Sequence, residues 1–373
     1  MPRKKHLVFA TTNDLVFDQR MQRIATALSG NFHVSLIGRK LPASPPLPGH
    51  WPFHGLRFRN QHTRGKRFYA EHNYHLYRWL LQLKPAIIGA VDADTLPACA
   101  MAAQKLGAAL VYDSHEYFIQ LPELEGRPAV RKAWDVLEKH CISKARLCYT
   151  VNDSLAAVLS ARFQKPFATI RNVPWREKAA LPGSGNRILE GLPKKFLLYQ
   201  GALNAGRGLE VLLEIIAGHA PLQLVLCGEG DLSQQLRHQA KALKLENRVH
   251  FLGRVAPEVL HAITQRAWMG YNVLAPMGLS YYYSLANKFF DYMHAGTPSL
   301  NSDFPEYQKI ISATGCGMAI PYDKENIKQA LAQCWQAPEK IELMRSNALK
   351  AAPHYCWEAE AKKLCTLYEF LSE

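Results

Sequence analysis

Short apolar runs, rich in β-branched and aromatic residues, alternate with amphipathic stretches along almost the whole chain. In the first half the runs are HLVFA (6–10), FHVSLIG (32–38), AIIGAV (86–91), ALVYD (109–113), LCYTV (147–151) and FATIRNV (167–173). They are continuously apolar, the pattern of strands buried on both faces. Between them, FDQRMQRIATALS puts Met21, Ile24, Ala25 and Leu28 on one helical face. The rhythm predicts a parallel sheet covered by helices on both sides. A breaker-rich segment follows, with prolines, glycines and mixed charge, and is read as a linker over 176–193. The strand–helix rhythm then restarts with FLLYQG (196–201), LQLVLCG (222–228), VHFLG (249–253), GYNVL (270–274), TPSLN (297–301) and GMAIP (317–321). The expected architecture is α/β, with two tandem Rossmann-like doubly wound domains over 1–175 and 194–355 and a closing helix within 356–373. Ligands of such sheets bind at the carboxyl ends of the strands, so a cleft between the domains is the expected site.

Composition narrows the class. A chain of 373 residues, 48% hydrophobic, is long enough for two cores and excludes collagen-like and disordered classes. Its eight cysteines form no C-x-x-C pair and no zinc spacing, which suits a reduced cytoplasm. No apolar stretch approaches the ~20 residues of a membrane-spanning helix. The basic start MPRKKHLVFA reads as a first strand, not a signal peptide.

Charge separates the halves. The formal net charge is +14, but residues 1–180 hold 26 Lys+Arg against 13 Asp+Glu (26 − 13 = +13), and residues 181–373 hold 19 against 18 (19 − 18 = +1). Two domains with different partners follow from that asymmetry. The excess suits nucleic acid, an anionic membrane or an anionic substrate. Nucleic acid is disfavoured, since no zinc finger, RRM-like aromatic motif or basic coiled coil is present.

Four stretches can carry chemistry. In LLYQGALNAGRGLE, strand, glycine turn at Gly201 and helix start bring Arg207 to a run of backbone N–H groups, an anion site; an ordinary strand–helix junction explains it equally well. In VLCGEGDL, Gly228 and Gly230 allow a tight turn and Glu229 can accept from a ribose or base donor; a plain turn is the simpler alternative. In MGLSYYYSLANKFFDYMHAGTP, Ser284 is the expected N-cap of a helix ending at Gly296. On it Asn287 and Asp291 share a face beside Lys288, suiting a diphosphate and sugar hydroxyls; a capped surface helix is the alternative. In VYDSHEY, Asp113, His115 and Glu116 emerge at a strand's carboxyl end. The Asp92–Ala93–Asp94 pair lacks a third metal ligand, and Asp94 is expected to cap the helix starting near Thr95.

Taken in order, these stretches resemble the GT-B-fold glycosyltransferases, specifically the large retaining family 4 (group 1). FATTNDLVFDQRMQRIATAL is similar to the family's first strand–helix unit, and the run from VDADTLPAC to VYDSHEYF to its middle N-domain. YQGALNAGRGLEVLLE, LVLCGEG, VHFLGRV and SLANKFFDYMHAGTP are similar to successive C-domain blocks, and YCWEAEAKKLCTLY to the closing helix that crosses back. The resemblance covers most of the chain. It implies a nucleoside-diphosphate sugar held by the C-domain, with Arg207 and Lys288 on the diphosphate, Gly228 and Glu229 near the nucleoside, and Asp291 on the ribose where the family usually has Glu. His115 matches the N-domain histidine near the transferred sugar. His115, Arg207 and Lys288 are the implied catalytic set. Gly201, Arg207, Gly228, Glu229, Ser284, Asn287, Lys288 and Asp291 are the implied donor-binding set. No metal and no cofactor is implied. The chain departs from the family where Tyr283 replaces the first Glu, Ala202 replaces an Arg, and Thr11–Asp14 replaces a glycine-rich loop.

The implied reaction is retaining transfer of a hexose to a glycan or lipid-linked acceptor, in polysaccharide biosynthesis. The rival readings are a nucleotide-sugar epimerase and a catalytically impaired binding subunit of a glycan-assembly complex. Gly55–Leu81 interleaves Arg57, Arg59, Arg64, Lys66, Arg67 and Arg78 with aromatics. It suits an anionic membrane surface, and so a cytoplasmic protein peripheral at the inner membrane face; a solvated loop before a helix with buried aromatics is the alternative.

Overall fold

A computed structural model describes residues 4–121, 124–176, 186–219 and 221–372. The chain divides into two compact units, Met1–Asn172 with Trp357–Glu373, and Val173–Cys356. Each is built around one parallel sheet. The first holds β1 (His6–Ala10), β2 (His33–Arg39), β3 (His54–Phe58), β4 (Ile87–Val91), β5 (Ala109–Ser114), β6 (Leu147–Thr150) and β7 (Ala168–Thr169), in the order β3-β2-β1-β4-β5-β6-β7. The second holds β8 (Leu197–Gln200), β9 (Leu224–Cys227), β10 (Val249–Gly253), β11 (Met269–Asn272), β12 (Ser299–Ser302) and β13 (Gly317–Ile320), in the order β10-β9-β8-β11-β12-β13. The α/β class and the doubly wound pairing follow the apolar runs of the sequence. Strand order reverses between β1 and β4, and again between β8 and β11. At these two points neighbouring connections leave in opposite directions and open a crevice at the carboxyl ends.

The cores explain the periodicities. Met21, Ile24, Ala25 and Leu28 of the helix Gln19–Leu28 are all buried, together with Phe9 and Leu36 of the sheet. The closing helix Trp357–Ser372 buries Trp357, Leu364, Tyr368 and Leu371 in this same first-unit core. It is fixed there by polar contacts: the Tyr149 and Tyr368 hydroxyls lie 3.3 Å apart, and Glu360 accepts from the Arg171 backbone N–H at 3.0 Å. Leu197, Tyr199, Leu212, Leu224 and Met269 centre the second core.

Four expectations need correction or completion. Ser284 caps no helix: a short helix, Gly278–Tyr282, ends first, and the next, Asn287–His294, starts after an extended Ala286. Leu285 between them is buried, and that burial takes the chain out of helical register at Ser284. Asp94 does not cap either. The helix it was to precede begins at Asp92, and the Asp94 carboxylate accepts from Thr12 Oγ1 at 2.8 Å. The edge strand β3 lies inside the basic stretch read as loop and helix; its mostly half-exposed HGLRF pattern carries no apolar run. Of the linker 176–193, residues 177–185 lie outside the described residues and Asn186–Glu190 form a short helix.

Candidate functional site

In the second unit the crevice beside β8 and β11 gathers most of the sequence candidates. Gly201 ends β8 with φ 123° and Gly228 ends β9 with φ 143°, conformations that favour glycine. The two backbones lie so close that a Cβ on Gly228 would overlap the Gly201 carbonyl oxygen. Gly201 N–H donates to Cys227 at 2.9 Å, and Gly228 N–H to Gly253 at 2.7 Å. Three successive strand ends are thereby laced into one rigid rim.

The helix Asn287–His294 packs on this rim. Phe289, Phe290, Tyr292 and Met293 are buried, and Tyr292 Oη donates to the Leu198 carbonyl of β8 at 3.0 Å. That anchoring turns Asn287, Lys288 and Asp291 outward. The Lys288 Cε and Nζ atoms lie against Gly201. Asp291 Oδ2 accepts from Gln200 Nε2 at 3.2 Å, and Gln200 Oε1 accepts from Thr264 Oγ1 at 2.8 Å, so the carboxylate is oriented by a buried relay. No side chain caps this helix start, and no acidic residue occupies its first turn. Burial and the nearby Arg207 push the Lys288 ammonium well below its ordinary pKa, with Asp291 pulling the other way. Two cations crowd a half-buried corner, which is the electrostatics of a site for a multiply charged anion. Glu229 stands at the mouth of the β9 turn and accepts from Arg237 at 3.2 Å; its carboxyl is held below the usual range by Ser233 and Arg237.

In the first unit the ends of β4 and β5 build a second cluster. Asp92 takes a left-handed φ of 58°, unfavourable for a residue with a Cβ, and its Oδ1 accepts from the His115 backbone N–H at 2.7 Å. The His115 ring lies between carboxylates, Nδ1 3.5 Å from Asp92 Oδ2 and Nε2 3.0 Å from Asp113 Oδ2. Buried Arg20 donates to Asp113 Oδ1 at 2.9 Å and to the Ile170 carbonyl at 3.0 Å. Its Nε also lies 3.0 Å from His115 Nε2, so Arg20 and Asp113 compete for one ring nitrogen. Burial and Arg20 work against the His115 proton, but Asp92 and Asp113 outweigh them and raise the imidazole to about 9. With His115 protonated, two cations balance two carboxylates. Burial and Asp92 also raise Asp94, to about 7.

The structure thus brings Gly201, Arg207, Gly228, Lys288 and Asp291 together within the second unit, with Ser284 in the connection before the Lys288 helix. His115 belongs to the first unit. Sequence reasoning missed Arg20 and Gln200. Arg20 finds its partner Asp113 93 residues away. Among the described residues, no group of three or more His, Cys, Asp or Glu is placed to hold a metal ion, and no helix is long and apolar enough to cross a membrane.

Comparison with known proteins gives the fold and a family resemblance over part of the chain. Residues 186–351 match the model of the glycosyl transferases group 1. Among solved structures, the chain is similar to a sucrose-phosphate synthase from Thermosynechococcus elongatus (TM-score 0.78, 18% identity, 99% of each chain covered). It is also similar to HepE from Anabaena in complex with UDP and glucose (TM-score 0.77, 17% identity, 97% of this chain and 98% of that chain). A third similar structure is WaaG, a glycosyltransferase involved in lipopolysaccharide biosynthesis (TM-score 0.73, 15% identity, 97% and 99%). No curated sequence matches the chain. The chain therefore has the two-domain GT-B fold, and its residues 186–351 are similar to the group 1 glycosyl transferases.

Proposed function

We propose that the chain transfers a hexose from a nucleoside-diphosphate sugar to a glycan or lipid-linked acceptor, with retention of anomeric configuration, as family 4 members do. The observation that carries this reading is the pair Arg207 and Lys288, crowded at one strand-end rim beside an uncapped helix start. In this reading the second unit takes the donor. The diphosphate lies against Arg207, Lys288 and the amides of Asn287–His294, the ribose against Asp291, and the nucleoside near Gly228 and Glu229. The complexes of HepE with UDP and UDP-glucose support a uridine nucleotide as the first donor to try.

The chemistry follows from charge. As the bond from the sugar C1 to the β-phosphate oxygen breaks, negative charge grows on that oxygen, and two preorganised cations stabilise it. The acceptor oxygen bonds to C1 on the face the phosphate leaves, and its proton passes to the departing phosphate oxygen. No separate base and no metal step is invoked. His115, held between Asp92 and Asp113, is the group this reading assigns to hydrogen-bond the transferred sugar, as the resemblance implies.

The acceptor side is assigned to the first unit, which makes up most of the +13 half of the chain. One further observation favours an anionic membrane surface there. Arg64, Lys66 and Arg67 are exposed at the start of the helix Gly65–Leu83. Tyr69 packs edge-on against Trp134, which brings alongside the helix Pro128–Ile142 with exposed Arg131, Lys132 and Val136. Basic residues around an exposed apolar side chain fit a peripheral protein on the cytoplasmic leaflet. The test of the reaction is nucleotide release from a panel of nucleoside-diphosphate sugars, with and without lipid-linked acceptors, and NMR of the product anomer. Acceptor-dependent release with a retained anomer supports the reading. Sugar isomerisation without acceptor supports an epimerase, and binding without turnover a binding subunit.

A further inference from the structure

Arg207 and Lys288 rest on aromatic faces instead of carboxylates. The Arg207 guanidinium carbon lies 5.1 Å from the Tyr281 ring centroid, and Lys288 Nζ lies 3.6 Å from that of Tyr199. Neither cation has a hydrogen bond or ion pair to another described residue. The acid one turn along, Asp291, attracts Lys288 but spends Oδ2 on Gln200. The pairing is crossed. Arg207 follows β8 and sits on a ring that follows β11, whereas Lys288 follows β11 and sits on a ring from β8. Both rings are held. Tyr199 is fully buried and its hydroxyl donates to the Ala202 carbonyl at 2.7 Å. Tyr281, in the helix Gly278–Tyr282, packs its ring edge against Gly206, where a side chain would strike it.

The physical consequence is selective. A carboxylate partner would occupy the guanidinium fork and would have to be displaced by an incoming anion. A π face holds a cation with about 0.5–2 kcal/mol and leaves its N–H donors free. We propose that Tyr199 and Tyr281 are positioning residues of this anion site, holding Lys288 and Arg207 aimed and unneutralised for a diphosphate. The inference rests on the nucleotide-sugar reading above and adds to it how the site keeps both basic groups free of carboxylate partners.

The experiment is a calorimetric titration of the full chain with UDP and, separately, with inorganic pyrophosphate. Tyr281 is partly exposed and packs against the edge of a core cluster, so each variant's thermal unfolding is recorded beside its titration. Tyr281→Leu is expected to weaken both ligands about three- to tenfold, while Tyr281→Phe and Tyr199→Phe, which keep the rings, stay within about twofold of the parent. Unchanged binding in Tyr281→Leu overturns the proposal. So does an equal loss in Tyr281→Phe, because the hydroxyl and not the ring would then matter. If the parent chain binds pyrophosphate but none of UDP, GDP and ADP, the nucleotide reading fails while the pyrophosphate titrations still decide the role of the rings. If it binds neither, both fall.

Discussion

Lys288 is the residue on which the electrostatic account turns. Its ammonium is depressed by burial and by Arg207, and a bound diphosphate opposes that depression by supplying negative charge. Binding is therefore expected to take up a proton, and affinity to fall as pH rises between the free and bound pKa values. Titration with UDP in two buffers of different ionisation enthalpy measures that uptake directly. Lys288→Arg, whose charge does not titrate, is expected to abolish it, and Lys288→Ala to cost at least tenfold in affinity, about 1.4 kcal/mol. Much of this residue-level chemistry is legible in the sequence, because Gly201, Gly228 and His115 follow apolar strands and Arg207 and Lys288 flank predicted helix starts. Gln200 and Arg20 are not. Each acts through a partner distant in sequence, Asp291 and Asp113, and a polar residue at the end of a strand or on a helix carries no local sign of that pairing.

At the scale of elements, two arrangements govern behaviour. The first is the glycine rim at the ends of β8 and β9. Gly228→Ala combines a disfavoured φ with backbone overlap, and is expected to destabilise the chain by about 2–4 kcal/mol, read as a lowered denaturant midpoint. The second is the charge cluster where β4 and β5 end. A histidine raised to about 9 contributes stability that is fully present below its ordinary value of about 6.5 and is lost as pH rises through about 9. Asp94 acts in the same direction at lower pH, losing its contribution by about 7. Between pH 8 and 10 the unfolding free energy is therefore expected to fall by about 1 kcal/mol in the parent chain and to stay level in His115→Gln. The sequence pattern located nearly every strand, since a buried parallel strand must be continuously apolar. It failed at Ser284 and Asp94: the helix after Ser284 starts only at Asn287, and Asp94 lies inside a helix that starts at Asp92 and accepts from Thr12.

For the whole molecule, charge asymmetry is the feature that composition alone made visible. The near-neutral half carries the residues that match the group 1 glycosyl transferases, and Arg207 and Lys288 lie within that stretch. The +13 half presents basic side chains on two neighbouring helices. Replacing Arg64, Lys66, Arg67, Arg131 and Lys132 by Gln is expected to reduce co-sedimentation with anionic vesicles severalfold and to leave UDP affinity unchanged, since these residues belong to the other unit. Vesicle binding that survives the five replacements removes the membrane reading. The central claim, that Arg207 and Lys288 form the diphosphate site of a nucleotide-sugar transferase, is tested most directly by titrating UDP, GDP and ADP into the parent chain and the Arg207→Ala/Lys288→Ala double variant. The account predicts saturable binding of at least one nucleotide by the parent and a loss of a hundredfold or more in the double variant. Equal affinity in the two proteins would contradict it.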